Sequence, residues 1–391
     1  MLRRALVAHP WRTRARAHCI ARHASLKRRG RRPQGCRTRH RARRCECAAE
    51  PGQGVEASGP APSSGSASRD KVASIGAHVQ RNFVLYGLLS AIVVAIANPN
   101  AGLAVRRLGV HKVSTKGIFL ISGLTLKLGD VKRALGSPLP LFLGYATILL
   151  VLPLSSFLSI RWPFLQPDLV YGMSIFLAMP TALSTGVQIS STCGGNPALA
   201  LLLTVGANLA AIATLPLLVP RLFGSALELD SGALFASLVR SILAPLVLGC
   251  GLRRFVGGLA GAVDANRKKM SLLSGCLLVV VPLVELSRAV SEGLSVSGGE
   301  MAQLAGLGLL FPCAFVAFNL ATTRLLSRFL PEDARRTLVV VCSIKTLPTA
   351  VMVLQKLQES MPALSGIALV PCMTIHLIQT IVVSAFATRW Q

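Results

Sequence analysis

Acidic side chains are scarce in this chain, and between Met1 and Arg44 there are none. The 391 residues hold 15 Asp and Glu against 42 Lys and Arg, and 15 Arg and one Lys crowd into that acid-free stretch. More than half of the net charge of +27 therefore sits in the first ninth of the sequence. A basic domain of this kind points to nucleic acid only when aromatic residues are interleaved with it, and Trp11 is the only Trp, Tyr or Phe here. An Arg-rich, acid-free leader reads instead as an organelle transit peptide. We place it at 1–47, followed by a Pro/Gly/Ser-rich disordered linker at 48–80 that includes "PGQGVEASGPAPSSGSASRD". Plastid import machinery would be its partner, and no nucleic acid is expected. A secretory apolar core is also missing. Ten cysteines are present, four of them before residue 48, but the rest are scattered singly through apolar runs without CxxC pairs or ligand-spaced histidines. Neither a zinc site nor a disulfide framework is indicated, and these cysteines read as small core residues. No HExxH, GxxxxGK[ST] or Ser-His constellation occurs, which argues against a protease, an ATP-driven pump or a hydrolase. Glu285, at the end of the seventh apolar run, reads as an interfacial partner of Arg288. No enzymatic activity and no cofactor are expected.

What the chain has in abundance is apolar sequence: 52% hydrophobic residues and a mean hydropathy of +0.57. Its long runs predict an all-α, polytopic membrane protein with about ten spans, near 83–98, 113–128, 138–160, 168–191, 196–219, 232–252, 269–289, 301–326, 336–357 and 365–388. Basic loops after the sixth and eighth spans, and net acidic loops after the fifth and seventh, place both termini on the same side; the basic loop "RRLGVHKVSTK" runs against this. The halves 83–219 and 232–390 are of similar length, and each has an interrupted fourth span. An odd number of spans per half forces opposite orientations if the halves share a fold. Paired broken helices in an inverted repeat mark a transporter's mid-membrane site.

The first interruption is "MPTALSTGVQISSTCGGN" (179–196), where Pro180 removes a backbone donor, Gly186 weakens the helix and Gly194 to Pro197 end it. Backbone groups freed at such depth are tolerated only inside protein or beside water, and hydroxyls can satisfy part of them. Ser190, Ser191 and Thr192 read as helix-packing polar residues; Ser184, Thr185 and Gly186, beside the break, read as site residues. The second interruption, "VCSIKTLPTA" (341–350), contains Lys345. Cations at such crossings take hydroxyls and freed carbonyls, whereas anions take half-helix N-termini.

These residues carry a resemblance. "GIFLISGLTLKLGDVKRAL" (117–135), the P…GGNPALALLLT pattern (180–204) and "HLIQ" (376–379) are similar to the bile acid:sodium symporter family, and within it to the plastid-targeted sodium/metabolite cotransporters of plants and algae. The likeness covers about 83–390. It implies ten helices in a panel (spans one, two, six and seven) and a core (three to five and eight to ten), with spans four and nine crossing. It also implies two sodium sites, whose positions fall on Thr185 and Gly186, on Ala200 and Thr204, near Cys342 and Thr346, and on Ile148. Thr185 and Thr204 keep a side-chain ligand and Thr346 substitutes weakly, while the family's Glu and Gln of the ninth span are missing. Lys345 has three readings: it stands in for one sodium, it attracts an anionic substrate, or it snorkels to the interface. His376 matches a histidine of the family's substrate cavity, with Leu377 in place of the usual Asn and Gln379 within a turn. The candidate substrate residues are thus Lys345, His376, Gln379 and Ser184. The expected function is a secondary transporter, with sodium as the coupling ion, moving a small organic anion across the inner envelope membrane of a plastid. A membrane regulator of ion homeostasis and a sodium-independent or proton-coupled carrier are the alternatives.

Overall fold

The computed structural model describes residues 83–127, 138–183, 185–224, 230–293, 296–361 and 364–390. The expected transit peptide (1–47), the linker (48–80) and Ser184 lie outside the described residues. Within them the protein is all-α, interrupted by a single isolated bridge between Thr181 and Lys345.

Six helices are long and apolar enough to cross a membrane: Pro138–Ser159, Pro197–Phe223, Ser231–Phe255, Arg267–Ser291, Gly298–Leu325 and Gly366–Trp390. They coincide with the third, fifth, sixth, seventh, eighth and tenth predicted spans. The others depart from simple rods. α1 (Phe83–Ala97) and α2 (Pro99–Arg107) meet at a bend of 106°. Pro99 has no N–H to give and drives Asn98 out of the helical region, so the helix must restart there. α3 (Val110–Thr125) follows after only two residues, because Gly109 takes a left-handed φ of 68°. The basic loop expected at 106–116 is therefore largely helical, a correction to the span boundaries.

α4 (Pro138–Ala146) continues through a π turn at Thr147–Val151 into α5 (Leu154–Ser159). Pro153 lies just beyond that turn, where a missing N–H favours the wider hydrogen-bonding pattern. The same device recurs between α9 (Ser231–Leu238) and α10 (Ala244–Phe255), where the π turn Val239–Leu243 precedes Pro245. The two interrupted spans are α6 (Pro167–Ala178) with α7 (Thr185–Thr192), and α14 (Glu332–Cys342) with α15 (Leu347–Ser360). Between them in sequence lie α8 (Pro197–Phe223), α11 (Leu259–Ala265), α12 (Arg267–Ser291) and α13 (Gly298–Leu325), and α16 (Leu369–Ala387) closes the chain.

Helices α1, α2, α3, α10 and α12 pack mainly on one another, while α6, α8, α13, α14 and α16 pack together around the interrupted spans. Close backbone approach fastens the first group. A Cβ on Gly123 would lie 2.2 Å from the Leu246 carbonyl oxygen, and one on Gly249 would lie 2.3 Å from that of Leu120. The interrupted spans sit deepest. Leu169, Met173, Ile175, Phe176 and Leu177 of α6 and Val340 and Val341 of α14 have no exposed surface. α6 and the inner half of α14 (337–342) are apolar on nearly every side because protein surrounds them, while Phe142, Leu150, Leu154 and Leu158 lie exposed on outward faces elsewhere.

Two sequence expectations need correction. Glu285 does not pair with Arg288: it is buried and its Oε1 accepts from Gln355 Nε2 at 3.1 Å, while Arg288 Nε bonds Glu292 at 2.7 Å. Residues three apart on a helix are neighbours, but here Glu285 turns inward to Gln355 of a neighbouring helix while Arg288 reaches outward to Glu292. Of the cysteines, Cys193, Cys342 and Cys372 are buried, but Cys276 and Cys313 are exposed on outward faces that hydropathy alone does not distinguish.

Outside the spans, Asp264 of α11 ties the ends of α3 and α10 together. Arg253 donates to both Asp264 oxygens at 3.2 and 2.9 Å and to the Leu124 carbonyl at 2.9 Å, and Lys127 lies 3.3 Å from Asp264. The Arg253 hydrogen bonds, with Lys127 behind them, hold the Asp264 carboxyl below the usual carboxylate range. A carboxyl lowered on folding stabilises the fold above its unfolded value, about 3.9, and loses that contribution as pH falls through the folded value. The melting difference between wild type and Asp264→Asn should therefore be present at neutral pH and shrink below about pH 4. Asp264 is about a third exposed, so the effect is small. A difference that stays constant from neutral pH to pH 3 would count against the ion pair.

Candidate functional site

The site is built where the two interruptions cross. α6 ends at Ala178, and Met179 (ψ 154°) and Pro180 leave the helix; α14 ends at Cys342, and Thr346 (ψ 128°) is extended before Pro348 starts α15. The freed backbone groups answer one another. Ala182 N donates to Ile344 O at 3.2 Å and Thr346 N donates to Pro180 O at 2.9 Å, on either side of the Thr181–Lys345 bridge. Without this pairing each group would be unsatisfied in a dry interior, at a cost of several kcal/mol.

Side chains from three flanking helices complete the accounting. Asn208 of α8 donates through Nδ2 to Thr181 O and Thr204 O, both at 2.8 Å. Gln379 of α16 brackets Lys345: its Oε1 accepts from Lys345 N at 3.0 Å and its Nε2 donates to Lys345 O at 2.7 Å. The same Nε2 lies 2.9 Å from His376 Nδ1. Asn319 of α13 donates to Ser343 Oγ at 3.1 Å, and Thr181 Oγ1 donates to Val341 O at 2.5 Å. Further along, Ser190 Oγ meets Thr337 Oγ1 at 3.1 Å and Asn196 Nδ2 donates to Asp333 Oδ2 at 2.9 Å, tying the end of α7 to the start of α14. Ser191 and Thr192 donate to carbonyls of their own helix.

Beside the crossing lies a cavity of about 50 Å³, lined by Thr185 and Gln188 of α7, Thr346 and Pro348 at the second break, His376 of α16 and Ser271 of α12. The N-terminal ends of α7 and α15 both reach it, so the positive ends of two helix dipoles face it. It separates the two groups of helices, and Gln188 Nε2 spans it to Ser271 Oγ at 3.0 Å. His376 is held edge-on to Phe176 with ring centroids 6.3 Å apart.

The structure thus brings Thr185, Thr346 and His376 to one cavity. Gly186 is buried one residue behind Thr185. Thr204 is buried and donates its hydroxyl to Leu201 O at 2.9 Å, away from the cavity. Cys342 directs its sulfur toward Gly144 O at 3.9 Å, and it packs with Ile148 and Ala200 in one apolar cluster. Gln379 spends its amide on the Lys345 backbone and does not line the cavity. Lys345 is 1% exposed, and its Nζ has no hydrogen-bond partner among the described residues; the Phe315 ring centroid lies 5.7 Å away. This overturns the snorkelling reading, because the second break lies in the protein interior and Gln379 pins the backbone there. Asn208, Asn319 and Thr181 were not anticipated as site residues. The two asparagines had a usable signal, since an amide inside a long apolar span needs a buried partner.

Residues 82–391 match the SBF-like CPA transporter family. The chain is 35% identical over 343 residues, 85% of this chain and 80% of the relative, to "Probable sodium/metabolite cotransporter BASS4, chloroplastic" of Oryza sativa subsp. indica. It is 37% identical over 317 residues, 79% of this chain and 72% of the relative, to the protein of the same description from Arabidopsis thaliana. A more distant relative, "Sodium/bile acid cotransporter 7-A" of Xenopus laevis, is 24% identical over 211 residues, 52% of this chain and 60% of the relative.

Proposed function

This chain belongs to the SBF-like CPA transporter family, and on that premise we propose that it is a secondary active transporter that couples sodium to the movement of a small organic anion across a plastid's inner envelope membrane. The observation that carries the reading is the cavity between the two groups of helices, walled by the N-terminal ends of α7 and α15. Backbone N–H groups and helix dipoles favour an anion at such ends, and His376, Thr185 and Thr346 add polar contacts around it. The rice and Arabidopsis relatives, named as chloroplastic sodium/metabolite cotransporters, support sodium, a metabolite and the chloroplast. The acid-free leader supports delivery by plastid import machinery. Transport by alternating access would rock α3 and α12 against the crossing, opening the cavity to one side and then the other. Polar contacts across that boundary are few and exchangeable, as Gln188 with Ser271 illustrates.

The test is uptake of radiolabelled small carboxylates, pyruvate among them, by proteoliposomes containing the chain from about Ala48, with and without an inward sodium gradient. Saturable uptake accelerated by the gradient is expected. His376→Ala should raise KM for the carboxylate about tenfold, the loss of one good polar contact, while leaving the protein folded. The absence of uptake for every carboxylate would overturn the reading and favour a regulator of ion homeostasis. Uptake indifferent to sodium would remove the coupling ion and keep the carrier.

A further inference from the structure

Burying an ammonium is costly unless something at the site needs a positive charge. Lys345 is 1% exposed at the crossing, takes part in none of the ion pairs among the described residues, and has no hydrogen-bond partner for Nζ. It is not held there by default: Gln379 grips its backbone N–H and carbonyl, and the bridge to Thr181 fixes the strand on its other side. Nor does it line the cavity beside the breaks, whose walls are formed by Thr185, Thr346 and His376. Direct capture of substrate from that cavity therefore does not explain it.

What surrounds Lys345 does call for a cation. α6 ends at Ala178 and α14 at Cys342, so the negative ends of two helix dipoles meet at the crossing in a water-poor interior. Half-helix C-termini and unwound carbonyls are the groups that hold coupling cations in membrane carriers. Yet the side-chain oxygens next to the end of α14 are already engaged, Thr181 Oγ1 with Val341 O and Ser343 Oγ with Val339 O and Asn319, and Ile148, Ala200, Leu203 and Cys342 on its other side offer only hydrocarbon and sulfur, not the free oxygens that a hard cation takes. The Phe315 ring, 5.7 Å from Nζ, suits an organic ammonium.

We propose that the Lys345 ammonium is a tethered cation, supplying at the meeting of α6 and α14 the positive charge that an exchangeable sodium would otherwise bring, so that no sodium enters at this position. The inference rests on the transporter reading and deepens it: any sodium coupling is confined to positions other than the one that Lys345 fills. The side chain moves with the protein instead of being carried across, and the number of sodium ions per substrate is reduced accordingly.

The test needs no transport, so it stands apart from the uptake experiment. Wild type, Lys345→Gln and Lys345→Met are purified from membranes as the full chain and melted in choline chloride and in sodium chloride of matched ionic strength. Lys345→Gln, which leaves space and an oxygen but no charge, should melt below wild type in choline. It should then gain about 3 °C more from sodium than wild type does. Lys345→Met, lacking the oxygen, should gain no more than wild type. Equal sodium gains in Lys345→Gln and wild type, or a Lys345→Met protein as stable as wild type in choline, would overturn the proposal. If neither variant folds, Lys345→Arg decides: a folded Arg variant upholds the demand for charge, and its failure alongside the others overturns it in favour of shape alone.

Discussion

Gln379→Leu is expected to lower the melting temperature of the purified protein by about 5 °C or more and to abolish uptake. The side chain is 1% exposed, and leucine replaces its volume but neither of its bonds to Lys345. The substitution strands one buried N–H and one buried carbonyl, each costing about 1–3 kcal/mol, in a fold whose total stability is about 5–15 kcal/mol. The same amide also meets His376 Nδ1 at 2.9 Å, so the histidine at the cavity loses its orientation together with the break. Gln379→Glu keeps an acceptor for the Lys345 N–H, and it should recover part of the stability. Thermal unfolding in detergent and carboxylate uptake by proteoliposomes measure both effects. A Gln379→Leu protein that melts with wild type would mean that the extended segment at Lys345 is held by the Thr181 bridge alone.

Gly172→Ala should be as damaging, for a steric reason. A Cβ at Gly172 would sit 1.8 Å from the Ala368 carbonyl oxygen, 2.7 Å from its carbonyl carbon and 2.9 Å from Pro371 Cγ. No rotamer relieves a clash with backbone, so α6 must retreat from the turn that precedes α16. Overpacking of this kind costs about 1–3 kcal/mol, and it also disturbs the Cys372 thiol, which donates to Gly172 O at 3.2 Å. Gly186 gives the contrast within the same interrupted span. The nearest atoms to a Cβ there are those of Val341 at 3.8 Å, ordinary contact, so Gly186→Ala should be neutral or stabilise α7 by about 0.5–1 kcal/mol. Melting the two variants side by side checks the pair, and comparable losses from both would refute the steric argument.

Much of this protein was legible before its structure. Six spans and both interruptions follow from hydropathy and from Pro180, Gly194 to Pro197 and Pro348, because proline and glycine act on the backbone locally. Asn196 capping α8, with Oδ1 accepting from Ala198 N and Leu199 N, is local chemistry of the same kind. The bend at Pro99 was legible in principle, yet the helix restarting after Gly109 was not, since a two-residue turn and a polar loop have the same composition.

Partnership across the fold was the illegible part. Gln379 could be named as a candidate, but nothing in "HLIQ" says that its amide is taken by the backbone of Lys345, 34 residues away. Cys342 and Thr204 stand next to residues that reach the crossing, and they turn elsewhere because helix phase after an interruption is set by packing. By itself, then, the sequence determined the membrane-spanning helices, where two of them break and that a lysine lies in the second break, all consequences of local backbone chemistry and of apolar length. Only the tertiary structure decided that the breaks satisfy each other, that Thr185, Thr346 and His376 share a cavity and that the lysine is sealed inside, because side-chain direction and burial depend on which distant helices close around them.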